Sequence, residues 1–155
     1  MEIEETEDLE DLQVEKTFTS NGFACVVATV RASHRCGYIA VPEDHVATTI
    51  GNHEDIPVKV HGGLTFGPRE ELGGVEVDEP VRWYGFDCAH AGDKIKFSTG
   101  FETDGKDWTP EDVKEELEDL AEQMSEITVQ DAVEKKLQYM PDWFQENVEV
   151  KDGGE

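Results

Sequence analysis

Between Asp87 and Asp93 the chain reads DCAHAGD, which places a carboxylate, a thiol, an imidazole and a second carboxylate within seven residues. These side-chain types suit proton transfer or metal ligation. A histidine beside a carboxylate that fixes its tautomer works as a general acid or base near neutral pH. The run follows the apolar stretch VRWYGF, so its polar groups sit where a strand ends. Upstream, His61 is followed by Gly62 and Gly63, which permit a tight turn and close backbone approach to a ligand. His61, Asp87, His90 and Asp93 are therefore the candidate catalytic residues, and Gly62, Gly63 and Tyr84 the candidate ligand contacts.

Residues two apart in an extended chain share a face, so Cys88 can converge with His90, and His34 with Cys36. Together they make a four-membered nitrogen and sulfur set of the kind that holds zinc. The alternative is that Cys36 and Cys88 are small buried hydrophobes and that the histidines form internal hydrogen bonds. Gly51-Asn52-His53-Glu54 and His61-Gly62-Gly63-Leu64 look like two metal-binding motifs of phosphoprotein phosphatases. Nothing suitable precedes Gly51 and only six residues separate the two, so the likeness is coincidental.

The elements that must position these groups are legible in the hydrophobic pattern. Phe23 to Val30 is an apolar, β-branched run flanked by Gly22 and Ser33, which predicts a buried strand. Further strands are predicted at Cys36–Val41, Ile56–Val60, Pro80–Cys88 and Lys94–Ser98, separated by turns rich in Gly, Pro and Asp. Strand alternation puts Arg82, Tyr84, Phe86, Cys88 and His90 on one face, with Trp83, Gly85 and Asp87 on the other. The last third changes period. Thr109 before Pro110, Glu111 and Asp112 is a helix start, and Val113, Leu117, Leu120, Ala121, Met124 and Ile127 fall on one helical face. After Ile127 the stripe shifts to Val129, Ala132, Val133, Leu137 and Met140, and Thr128 with Asp131 caps a second helix that ends before Pro141. The expected fold is α+β: a mostly antiparallel sheet with two C-terminal helices packed on one face.

Charge divides the 155 residues into three parts. Residues 1–15 carry eight acids and no base, residues 16–101 carry 11 acids and eight bases, and residues 102–155 carry 18 acids and five bases. The first 15 residues read as a disordered acidic segment, 16–140 as one α+β domain, and 141–155 as an acidic tail. A net charge of −24 without a basic patch speaks against direct nucleic-acid binding. Three readings of the acid stand: solubility in concentrated salt as in halophiles, a DNA-mimicking decoy, or an ordinary acidic surface. The halophilic one fits the amount best, although nine lysines outnumber four arginines. The longest apolar run is far shorter than the ~20 residues that span a bilayer, and three cysteines without an export signal argue against a disulfide framework. The expectation is a soluble, intracellular protein with no membrane association.

HRCGYIAVP (34–42), VHGGLTFG (60–67) and WYGFDCAHAGD (83–93) together resemble a family of small proteins from tailed phages, prophages and archaeal viruses. LEDLAEQM (117–124) is similar to that family's C-terminal segment, and the resemblance spans roughly residues 22–127. It implies a setting more than a mechanism: an accessory viral protein acting inside an infected cell. The shared motifs carry over to His34, Cys36, His61, Gly62, Gly63, Asp87, Cys88, His90 and Asp93. Two functions from different classes follow. One is a small enzyme or binder with a His/Cys/Asp-lined pocket, either a metal-dependent hydrolase or a nucleotide or small-molecule binder. The other is a non-enzymatic acidic protein that blocks or sequesters a host protein, or a minor virion component. No phosphate-cradling loop and no Gly-x-Ser-x-Gly elbow occurs, which removes P-loop nucleoside triphosphatases and α/β-hydrolases.

Overall fold

The computed structural model describes residues 3–5, 12–97 and 99–137. In chain order its strands are β1 (Ile3–Glu5), β2 (Leu12–Ser20), β3 (Phe23–Val30), β4 (His34–Pro42), β5 (Phe66–Arg69), β6 (Val75–Val77) and β7 (Val81–Asp87). Helices α1 (Pro110–Ser125) and α2 (Val129–Leu137) follow. Strands β2-β3-β4-β7-β5, in that spatial order, form a five-stranded antiparallel sheet, while β1 and β6 pair as a separate two-stranded ribbon. The fold is α+β with an antiparallel sheet, as the pattern of elements predicts.

Helix α1 forms because Thr109 accepts from the Asp112 amide while Asp112 returns a bond to the Thr109 amide, a reciprocal cap that satisfies two N-terminal donors. Its buried residues are Val113, Leu117, Leu120, Ala121 and Met124, and Ile127 beyond its end is buried too, which is the predicted stripe. That stripe packs on Cys25, Val27, Ile39, Val41, Tyr84, Phe86 and Cys88 of the sheet. The opposite sheet face, carrying Ala24, Val26, Ala28, Cys36, Tyr38, Ala40 and Trp83, packs against Leu72, Val75 and the ribbon residues Ile3 and Val77. The sheet is thus covered on both sides, and its central strands are apolar at nearly every position, as two-sided burial requires. Helix α2 is capped by Thr128 and Asp131 as expected and buries only Ala132; Val129 is about half exposed. Among the described residues no helix is long and apolar enough to cross a membrane. Met140, the helix end expected before Pro141 and the tail at 141–155 lie outside the described residues.

Three expectations are corrected. Ile3–Glu5 and Leu12–Glu15 belong to strands rather than to a disordered segment. Strand β2 escapes a period-two reading because its register shifts between Val14 and Lys16. The bulge sends Leu12 and Val14 to one core and Phe18 to the other, so no single alternation runs through the strand. Ile56–Val60 is not a strand, although Ile56, Val58 and Val60 do face the helix-side core. Its backbone is held by α1 side chains: Gln123 accepts from the Lys59 amide at 2.6 Å and donates to the Lys59 carbonyl at 2.7 Å. Lys94–Phe97 makes only isolated bridge contacts, with Lys96 opposite Glu102. Ser98 is outside the described residues.

Leu117 is fully buried between α1 and β3–β4–β7. Leu117→Ala is expected to cost about 2–5 kcal/mol of unfolding free energy, because the strands beneath cannot collapse into the space. Urea denaturation at neutral pH measures it, with an unchanged slope showing that the fold is retained.

Candidate functional site

The site forms where three loops meet at one end of the sheet. The first follows the tethered 56–60 segment: the His61 amide donates to Glu116 on α1 at 3.0 Å, and Gly63 closes a turn onto the Val60 carbonyl at 2.8 Å. Gly62 adopts φ +69°, and a Cβ there would fall 2.1 Å from His90 Nε2. The role expected for Gly62, close approach to a ligand, is therefore taken by the His90 ring. Gly63, at φ +79°, faces open space.

The second loop continues β7. Register places Cys36 opposite Asp87, and the Cys88 amide still donates to Arg35, so extended backbone runs one residue past the strand. Asp87 then closes a turn, accepting from the Ala89 amide at 3.2 Å and from Thr65 Oγ1 at 3.1 Å. His90 Nε2 lies 3.0 Å from Asp87 Oδ1 but off the line a hydrogen bond needs, and it has no other partner among the described residues.

Asp93 is the one buried charged residue among those described. His61 Nε2 lies 2.8 Å and 3.1 Å from its two carboxylate oxygens; Trp108 Nε1 donates at 2.8 Å and the His90 amide at 3.0 Å. Burial pushes the Asp93 carboxyl up, but the bonds from His61, the His90 amide and Trp108 outweigh it, so it stays ionised below the usual carboxylate range. Trp108, on the third loop, stacks on His61 at 4.3 Å between ring centroids and carries Lys106 Nζ 4.0 Å from its own. His61 and His90 meet edge to face at 5.6 Å. With Asp93 ionised, His61 carries its proton on Nε2. Its Nδ1 lone pair has no hydrogen-bond partner among the described residues, and the side chain is 24% exposed.

His61, Asp87, His90 and Asp93 thus come together as expected, and His34 lies close enough to feel Asp87, Asp93 and His90. The expected zinc quartet does not assemble. Cys36 packs on the ribbon side of the sheet and Cys88 on the helix side. Burial raises both thiols, Cys36 to about 12 and Cys88 further, so neither is a thiolate at neutral pH. Among the described residues no three His, Cys, Asp or Glu side chains are grouped to hold a metal ion. Tyr84, an expected ligand contact, is buried in the helix-side core, and its hydroxyl has no hydrogen-bond partner among the described residues.

Trp108 was not among the predicted site residues. Its signal was an aromatic directly before the Thr109-Pro110 cap, the position from which a large side chain packs back on its neighbours. Of two clefts, one borders this region and the other lies toward the start of β7. One of about 90 Å³ is lined by His34, Arg35, Cys88, Lys94, Lys96 and Trp108, among others. The larger, about 600 Å³, lies along β6 and β7 under Glu43, Glu70, Glu71, Glu76 and Glu79 and includes none of the predicted site residues.

No family model matches the chain, and no curated protein or solved structure matches it.

Because the ionised form of Asp93 is favoured by folding, its stabilisation is present at neutral pH and is lost as pH falls through the carboxylate range. Asp93→Asn is expected to cost about 1–3 kcal/mol at pH 7, the scale of a lost charged acceptor for buried donors. The gap between variant and wild type should be smaller at about pH 3 than at pH 7, because stability from a lowered carboxylate is lost as pH falls toward its folded pKa. Denaturant midpoints at the two pH values test this.

Proposed function

We propose that this protein binds a small molecule at the loop cluster beyond β7 and that His61 serves as the general base for its hydrolysis. The observation that carries the reading is the His61–Asp93 pair. A buried carboxylate holds Nε2 at 2.8 Å, leaving Nδ1 without a partner among the described residues on a side chain that is partly exposed. In that arrangement Nδ1 takes a proton from water as the water oxygen attacks an electrophilic carbonyl or phosphoryl centre. Asp93 stabilises the imidazolium that forms, and the proton then passes to the leaving group. Trp108, stacked on the ring and bonded to the same carboxylate, limits the ring's rotation. The motif resemblance to phage and archaeal-virus proteins supports an accessory role for this activity in an infected cell.

The probe is p-nitrophenyl acetate, whose hydrolysis is read by nitrophenolate release. His61→Gln should lower the protein-dependent rate by about 10²-fold, within the range for a positioned base, and Asp93→Asn by a smaller factor. A His61→Gln protein that hydrolyses the ester as fast as wild type, with its near-UV circular dichroism unchanged, overturns the reading.

A further inference from the structure

We infer that the cleft between Trp108 and the start of β4 is a binding site for a small oxyanion of the phosphate class. It deepens the reading of the neighbouring loop cluster by naming the chemical class of what binds there.

The chain carries 37 acids against 13 bases, yet this cleft is lined by Arg35, Lys94 and Lys96, with Asp107 as the only acid of its lining among the described residues. The three cations differ in how far they are committed. Arg35 is spent: Nε and Nη2 bond Glu15 at 3.0 Å and 3.1 Å, and Nη1 bonds the Trp108 carbonyl at 2.7 Å. That bond fixes one wall of the cleft. Lys94 is 3.3 Å from Glu102, an exposed pair worth little and readily exchanged for a better anion. Lys96 has no ion pair or side-chain hydrogen bond among the described residues, and its backbone amide is tied to the Ser33 carbonyl at 3.1 Å. Its stem is thereby rooted at the cleft while its ammonium group stays unspent.

His34 completes the set. Its Nδ1 is 3.2 Å from Ser33 Oγ, and its Nε2 has no partner among the described residues. Burial holds the ring's pKa below the ordinary value despite Asp87 and Asp93. A bound anion would raise it, which supplies a readout at the site itself. The volume, about 90 Å³, is that of roughly three waters, the size of a phosphoryl group and too small for a whole nucleotide. The net charge of −24 does not forbid this: at the cleft Glu15 is taken up by Arg35 and Glu102 by Lys94, and exposed charges farther away than about 8–10 Å are largely screened at physiological ionic strength. At contact distance, Lys96, Lys94 and His34 decide.

The test uses inorganic phosphate, AMP and adenosine at constant ionic strength, followed by the His34 imidazole and Trp108 indole NMR signals. Phosphate and AMP should shift both signals saturably and raise the His34 titration midpoint, while adenosine should do neither. AMP tighter than phosphate identifies a phosphorylated ligand whose remainder lies outside the cleft; equal affinity identifies the free ion. Lys96→Glu should weaken binding at least tenfold, and Lys94→Ala several-fold, each with a wild-type spectrum elsewhere. Non-saturable shifts, binding of adenosine as tight as AMP, or an affinity unchanged in Lys96→Glu overturn the site. Binding is read without turnover, so its absence leaves the His61 reading standing, and absence of ester hydrolysis leaves the anion site standing.

Discussion

A carboxylate taken out of water must find its hydration replaced, and Asp93 does so with donors from three separate loops. His61 comes from the segment before β5, His90 from the turn after β7, and Trp108 from the residues that lead into α1. None of these stretches is regular structure, and each alone would pay the full conformational cost of its order. The buried charge makes their order mutual, because losing any one donor leaves the carboxylate under-solvated. Asp93 also anchors its own loop: its amide donates to the His90 carbonyl at 2.9 Å, and its carbonyl accepts from Thr103 Oγ1 at 2.9 Å. The same carboxylate that fixes the His61 ring therefore holds the loops that surround it.

The rest of the acid behaves differently. Carboxylates of the folded part that act structurally do so by meeting backbone amides or the few cations: Glu15 clamps Arg35, Glu116 receives the His61 amide, and Asp112 and Asp131 cap the two helices. Glu15 sits at the β2 bulge and fixes Arg35, whose third bond reaches the Trp108 carbonyl. A residue of the acidic N-terminal stretch is thus connected to the wall of the cleft beside Trp108. The boundary at residue 16, drawn from charge, divides a strand that the fold treats as continuous.

How much could be read in advance depended on whether an element's pattern was local. Helix α1 was legible because its cap, its proline and its apolar face are all set within 19 contiguous residues, 109–127. Strands β3, β4 and β7 were legible because two-sided burial makes them apolar throughout. Strand β2 was not, since its bulge breaks the alternation. Ile56–Val60 has the side-chain pattern of a strand but meets a helix glutamine where a neighbouring strand would be. That substitution depends on where α1 lies. The site was legible to the same extent: His61, Asp87, His90 and Asp93 stood out by type and spacing, and Trp108, fifteen residues from the carboxylate it binds, did not.

The two cysteines show why spacing within a strand cannot establish convergence between strands. His34 with Cys36 and Cys88 with His90 are each two apart, and that parity is a sound local inference. Whether the two pairs share a face depends on the register of β4 against β7, which is long-range information. Cys36 stands opposite Asp87, so Cys88 is one residue out of phase and points through to the other side of the sheet. A one-residue difference in register exchanges the faces of a whole strand. Had Cys36 paired with Cys88, the thiols would have met on one face. As the strands lie, Asp87 takes that place and both sulfurs go into the cores, so the groups gathered at this end of the sheet are imidazole and carboxylate.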